Sequence, residues 1–252
     1  MSEITIKEGV YHTWIDHIPA IWVEPAATTS PRRLVIWLTG LSGSKEGLIP
    51  HLQELAGRGY LALSFDPWQH GERGAESSEQ IIQRVFSNFR RHMWPILAHT
   101  TEDTLRVIDW AIATLGAAPV VQMGGISMGG DISVAAAGLE PRIDRVAAAI
   151  ATADWLRPGA NNAPGEPDAY ARLMYQRLNP LTHLQNYAHC PAITFECGAE
   201  DDHVPPDGAL RFRDALAATY AACPERLRVN LHPGVGHAFT DAMWANCLDW
   251  FD

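Results

Sequence analysis

Along the chain, short runs of consecutive apolar residues alternate with segments in which apolar residues recur every three or four positions. The runs Arg33–Leu38, Tyr60–Phe65, Val120–Gly124, Arg145–Ile150, Ala192–Cys197 and Leu227–Leu231 are continuous enough for strands buried on both faces. Helical patterns separate them. One spans about Lys45 to Ala56. A second opens at Ser77-x-x-Gln80, a capping-box signature, and turns Ile81, Ile82, Val85, Phe86 and Phe89 inward until Pro95 interrupts it. A third carries Leu105, Ile108, Ile112 and Leu115 and stops at Gly116, and the last places Trp244, Cys247, Leu248 and Phe251 on one face. Six strands separated by helices predict an α/β fold with a mostly parallel central sheet covered on both faces. The first thirty residues, with Ile4, Ile6, Trp14, Ile21 and Trp22 between turn residues, predict antiparallel strands added at one edge. One stretch breaks the rhythm: residues 152–186 hold a Gly/Pro/Asn-rich segment, Gly159 to Pro167, and a short helical pattern from Tyr170 to Leu178. So long an excursion over the carboxyl ends of the strands predicts a small lid or pocket wall.

Composition narrows the picture. At 252 residues the chain suits one α/β domain over its whole length, and 47% hydrophobic residues suit a folded globule. A net charge of −10 without a basic run argues against a nucleic-acid or anionic-membrane surface. Met1 to Glu8 has neither a basic start nor an apolar stretch, so no signal peptide is expected, and the apolar run near Val146–Ala153 is too short to span a membrane. The four cysteines, Cys190, Cys197, Cys223 and Cys247, form no C-x-x-C pair, and free buried thiols in a reducing cytoplasm are the expectation. The sequence leaves the oligomeric state open.

The candidate chemistry sits at Gly125-Ile126-Ser127-Met128-Gly129, between the strand-like Val120–Gly124 and an Ala-rich helical segment. A G-x-S-x-G turn between strand and helix lifts the serine hydroxyl clear of the backbone and aims the helix N-terminus at charge developing there. The N–H of Met128, next after the serine, is then one donor for an oxyanion. A serine hydroxyl needs a histidine held by a carboxylate before it attacks anything. Two later strands run into loops that supply both: Gly198-Ala199-Glu200-Asp201-Asp202-His203 and His232-Pro233-Gly234-Val235-Gly236-His237. No third ligand converges on His232 and His237, so neither a metal nor any other cofactor is expected.

From Arg33 onward these motifs resemble the α/β-hydrolases, close to bacterial esterases grouped with dienelactone hydrolases and prolyl-oligopeptidase-like enzymes. The family's G-x-x-D-x-x-V-P segment is similar to Gly198–Pro205 and implies an acid at Asp201, with Asp202, Asp154 and more weakly Glu200 as competitors. Its G-H-x-F segment is similar to Gly236–Phe239 and implies a base at His237. Thr39-Gly40-Leu41-Ser42-Gly43-Ser44-Lys45-Glu46 resembles the family's H-G-x-x-G-S-K-E, which implies a second oxyanion donor at the Leu41 N–H, with Thr39 in place of the histidine. Asp66 to Gly74 resembles a D-x-x-x-H-G-E-R segment, and an Asp66–Arg73 or His70 network is expected to hold that loop. Trp68, Trp155, Tyr170 and Met174 are candidate pocket walls. The resemblance implies a serine hydrolase acting on small carboxylic esters through an acyl-enzyme. The same machinery serves thioesters, lactones or peptides, and a binding module could keep the shape with little turnover.

Overall fold

The computed structural model describes residues 3–27, 30–161 and 164–252; Asn162 and Ala163, within the predicted lid, and Met1 and Ser2, in the predicted leaderless start, lie outside the described residues. The chain runs β1 (Thr5–Lys7), β2 (Val10–Ile15), β3 (Ile18–Val23), β4 (Arg32–Leu38), α1 (Ile49–Gly57), β5 (Leu61–Phe65), α2 (Ser78–Ser87), α3 (Phe89–Leu115) and β6 (Ala117–Ile126). It continues through α4 (Met128–Leu139), β7 (Ile143–Ala149), α5 (Ala169–Leu178), β8 (Ala192–Gly198), α6 (Asp207–Ala215), β9 (Leu227–His232) and α7 (Asp241–Phe251).

Among the described residues nine strands form one sheet in the order β1-β2-β3-β5-β4-β6-β7-β8-β9. From β5 to β9 all neighbours are parallel, and the six expected apolar runs are those six strands. The first three strands pair antiparallel and join at one edge through β3 and β5, as the N-terminal pattern predicts. Apolar side chains on the two faces make two cores. One gathers Leu34, Leu63, Met123 and Phe195 with α3 and α4; the other gathers Val35, Trp37 and Ala147 with α1 and α7. Ile21 and Trp22 are buried as expected, whereas Ile6 and Trp14 are exposed on the outermost strands and Ile4 is exposed just before β1.

Three local expectations change. The capping box forms, with Gln80 N–H donating to Ser77 Oγ and Ser77 N–H to Gln80 Oε1, but α2 ends at Ser87 rather than at Pro95. Asn88 is extended (φ −159°), and its side chain accepts from Arg91 N–H to open α3, so Pro95 lies inside a 27-residue helix. Capping by Asn is strong enough to set the boundary, and Pro95 is buried in the core that holds the helix together. Ile82 is exposed, not inward, because the restarted helix takes the core-facing role with Phe89 and Met93. The predicted helix from Lys45 begins as a 3₁₀ turn, Lys45–Leu48, before α1. Cys197 and Cys247 are buried free thiols, but Cys190 and Cys223 are only half-buried. Among the described residues no helix is long and apolar enough to cross a membrane.

The sheet's tight centre lies at Gly125. A Cβ there would lie 2.6 Å from the backbone of both Leu38 and Gly129, closer than any side chain tolerates. Gly125→Ala should therefore cost about 2 kcal/mol and lower Tm by about 4–8 °C. Gly57→Ala, at an open helix position, should be neutral or slightly stabilising. Thermal unfolding of the pair checks this, and equal shifts would refute the packing argument.

Candidate active site

β6 delivers Ser127 to the carboxyl edge of the sheet. Ser127 has φ 52° and ψ −113°, a conformation that L-residues rarely adopt. Its N–H donates to Ala149 O at 2.8 Å, tying the bend to the end of β7. α4 starts at the next residue, so the N–H of Met128 is one of the first-turn donors that have no partner within the helix. The loop after β4 runs alongside: a Cβ on Gly40 would lie 3.7 Å from Ser127 Cβ, and Gly43 N–H closes a turn onto Gly40 O. Leu41 lies in that turn, half-buried against the core.

The second component comes from β8. Asp201 is buried, and its Oδ1 accepts from the N–H groups of His203 and Val204 at 2.9 and 2.7 Å. Those two bonds fix the carboxylate, and its Oδ2 accepts from His237 Nδ1 at 2.7 Å. Burial alone would raise the Asp201 pKa, but the hydrogen bond from His237 and the backbone donors outweigh it and hold the group below its ordinary value.

His237 stands on the loop after β9. Gly198 lets that loop cross the end of β8, since a Cβ there would meet the Gly236 and Val235 carbonyls. Two residues beyond the histidine, Phe239 anchors the loop by packing against Trp37, His51 and Trp244. With Nδ1–H given to Asp201, Nε2 is left to accept, and it lies 3.1 Å from Ser127 Oγ. Ser127, His237 and Asp201 are thus joined in one line of hydrogen bonds.

The competing acids are engaged elsewhere. Asp154 accepts from Arg211 at 2.7 Å and from Leu156 N–H at 3.1 Å, and Glu200 accepts from Gly234 N–H at 3.0 Å. Asp202 is exposed, and its main-chain carbonyl accepts from Asn161 N–H. His232 donates from Nε2 to Glu196, a buried carboxylate that also accepts from Asn230 and Asn246. Among the described residues no group of His, Cys, Asp and Glu could hold a metal ion.

Other expected contacts are rearranged. Asp66 does not pair its carboxylate with Arg73. It accepts from buried Lys45, through both backbone N–H and Nζ at 2.9 Å, and from Glu72 N–H. Burial opposes the charge on Lys45, but bonds to Asp66, Glu46 and Glu72 outweigh it and raise its pKa. Arg73 turns to Asp103 at 2.7 Å and to the Asp66 carbonyl, while His70 is buried with Nδ1 on Trp68 O. A lysine fits because it reaches the carboxylate from the neighbouring loop, closing both loops around one charge.

The proposed pocket walls divide. Trp155 is fully buried, with its carbonyl accepting from Trp94 Nε1, and Met174 is buried on α5, so both pack in the core. Trp68 and Tyr170 flank His99 and line an open cleft of about 220 Å³ with Arg91 and Pro95.

Two features escaped the sequence reading. The His203 ring packs between His237 (4.7 Å) and Phe86 (5.3 Å), and burial with the nearby Arg157 charge lowers its pKa to about 4. It is therefore neutral beside His237 at neutral pH. Fully buried Asp131, four residues after Ser127, pairs with Arg157 at 2.5 Å and accepts from Thr152 N–H. A single charged residue in the Ala-rich stretch Met128–Ala137 was the available signal.

Comparison with known proteins agrees with this architecture. Residues 33–187 match the family model described as the alpha/beta hydrolase fold. The chain belongs to that family. It is 23% identical over 247 residues to a Bacillus subtilis (strain 168) protein named "Putative esterase YitV", covering 87% of this chain and 88% of that one. It shares its fold with TT1662 from Thermus thermophilus (24% identity, TM-score 0.72, 99% of this chain and 96% of that one). It also superposes on a puromycin-hydrolyzing peptidase from Mycobacterium tuberculosis (18% identity, TM-score 0.69), covering 93% of this chain but only 36% of the peptidase.

A pH dependence follows from the Asp201 shift. A carboxyl depressed on folding contributes stability above its unfolded pKa, and that contribution is lost as pH falls through the folded value. The Tm advantage of wild type over Asp201→Asn should be full at pH of about 5–7 and shrink below about 4. A constant difference down to acid denaturation would contradict the bonding described for Asp201.

Proposed function

We propose that this protein is a serine hydrolase that cleaves carboxylic esters of small molecules through an acyl-enzyme. The observation that carries the reading is the continuous contact Asp201 Oδ2–His237 Nδ1–His237 Nε2–Ser127 Oγ, at 2.7 and 3.1 Å, on a strained strand-to-helix turn. His237 Nε2 accepts the Ser127 proton as Oγ attacks the ester carbonyl, and Asp201 holds the ring and stabilises its cation. The N–H groups of Met128 and Leu41 receive the developing oxyanion, with the α4 dipole adding to their field. His237 then protonates the leaving alkoxide. Water, activated by the same histidine, releases the acid and restores Ser127.

Membership of the α/β-hydrolase family supports hydrolysis, and the esterase name borne by its Bacillus relative supports esters as the substrate class. Neutral His203 supports His237 as the base, because a second cation beside it would disfavour the imidazolium formed in the transition state.

Ser127→Ala should fold like wild type and lose roughly three to six orders of magnitude in kcat on p-nitrophenyl esters. A variant retaining more than about a tenth of wild-type turnover would remove Ser127 from the chemistry. Asp201→Asn should cost on the order of a thousandfold or more in kcat/KM, while Asp202→Asn and Asp154→Asn cost about a few-fold. Steady-state kinetics on the three variants check this. A crippled Asp202→Asn or Asp154→Asn beside an active Asp201→Asn would move the acid to another residue.

A further inference from the structure

Among the described residues β1 is an end strand of the sheet, paired on one side only. Glu8 and Gly9, with φ 51° and 78°, form the two-residue turn into β2, so Lys7 and Val10 are the hydrogen-bonded pair that closes the hairpin. Bonded and non-bonded pairs alternate along an antiparallel ladder. The main-chain groups of Thr5 and Lys7 therefore point toward β2, and those of Ile4 and Ile6 point away from it. Glu3 belongs to the inward set, and its carbonyl accepts from Thr13 Oγ1 on β2.

Side chains sort by the same alternation. Glu3, Thr5 and Lys7 stand on one face, where with His12 and Trp14 they line a cavity of about 430 Å³. Ile4 stands on the other, with Ile15 and Trp110 beside a cavity of about 720 Å³, and Ile6 shares that face. Glu3 and Lys7 are exposed, and so are Ile4 at 44% and Ile6 at 62%. An end strand that shows two isoleucines to water is a template for another strand.

Residues 3–7 are Glu-Ile-Thr-Ile-Lys, a segment complementary to itself in the antiparallel sense. About a two-fold axis at Thr5, Glu3 faces Lys7 of a second copy, Ile4 faces its Ile6, and Thr5 faces its Thr5, each contact being repeated by symmetry. The same register satisfies the main chain. Ile4 and Ile6, whose N–H and C=O groups point outward, become the bonded pairs, with two hydrogen bonds at each. The charged and threonine pairs fall at the non-bonded positions, where opposed side chains come closer. Shifting the register by two residues keeps the bonding pattern but sets Lys7 or Glu3 opposite Thr5, and the charge match is lost.

We propose that two copies of this chain associate through β1, antiparallel about an axis at Thr5, so that one sheet continues from copy to copy. Ile4 and Ile6 of both copies then cover one another on the face that packs against α3. Lys7 adds specificity, since a lysine on a bare edge disfavours most strands but here meets a glutamate. The contact is narrow, which places its Kd in about the micromolar range.

Sedimentation velocity of the wild-type protein should show monomer passing to dimer as concentration rises through about 1–100 μM. Lys7→Glu and Glu3→Lys each set like charges opposite one another twice, and each should weaken the dimer by about tenfold or more. The double variant Glu3→Lys/Lys7→Glu restores both matches and should regain the dimer. An equimolar mixture of the two single variants should form the heterodimer, because every charged pair across the axis is then opposite in sign. Circular dichroism checks that each variant folds. If a variant does not fold, amide exchange on the wild type decides: protection of the Ile4 and Ile6 N–H groups that rises with concentration upholds the proposal, and unchanged protection overturns it. A wild type that stays monomeric also overturns it, the edge then facing water or a strand of another protein. So does a dimer that neither single variant weakens, or one that the double variant fails to restore.

Discussion

The backbone at Ser127 is the constraint on which the rest of the site depends. A residue with φ 52° at the end of a central strand persists only where its surroundings over-determine it. Here β7 supplies the acceptor for its N–H, Gly125 lets β4 and α4 close on the bend, and α4 begins at once. These contacts leave the hydroxyl one direction to point, toward the loops that follow β8 and β9. The energy stored in the bend is offset by the fully buried sheet around it, where Met123, Val146 and Ile193 are all inaccessible to water.

The two loops meet the serine because parallel register brings the ends of β8 and β9 to one level. Gly198 is paired with His232 at the last rung, and the chain beyond each turns back across the sheet edge. Each loop is then fixed by its own means, the loop after β8 by two N–H groups closing on Asp201 Oδ1 and the histidine loop by Phe239 in its aromatic cluster. Rigid loops of this kind hold donor and acceptor near 3 Å without help from a ligand, which is the preorganisation an acyl-transfer site requires.

Much of this was legible in the sequence because it rests on local pattern. Buried parallel strands are continuous apolar runs, and the elbow, the acid loop and the histidine loop each carry their glycines within a few residues of the side chain they present. What was not legible depends on partners far away in the chain. Pro95 reads as a helix break until Asn88 caps α3 ahead of it. Asp66 has Arg73 within reach in sequence, yet Lys45, 21 residues earlier, takes its carboxylate. Trp155 and Met174 look like pocket aromatics and thioethers in a loop-rich stretch but are sealed into the core by α3. The Asp131–Arg157 pair spans 26 residues and leaves only a lone charged residue in an Ala-rich helix as its trace.

Covalent labelling with a fluorophosphonate tests the central claim most directly, since such a probe reacts with a serine only when a neighbouring base and an oxyanion site activate it. Peptide mass spectrometry of the labelled wild-type protein should find one adduct per chain, on Ser127, and His237→Ala should abolish it while retaining the fold. Failure of the wild-type protein to label, or an adduct on another serine, would contradict the account.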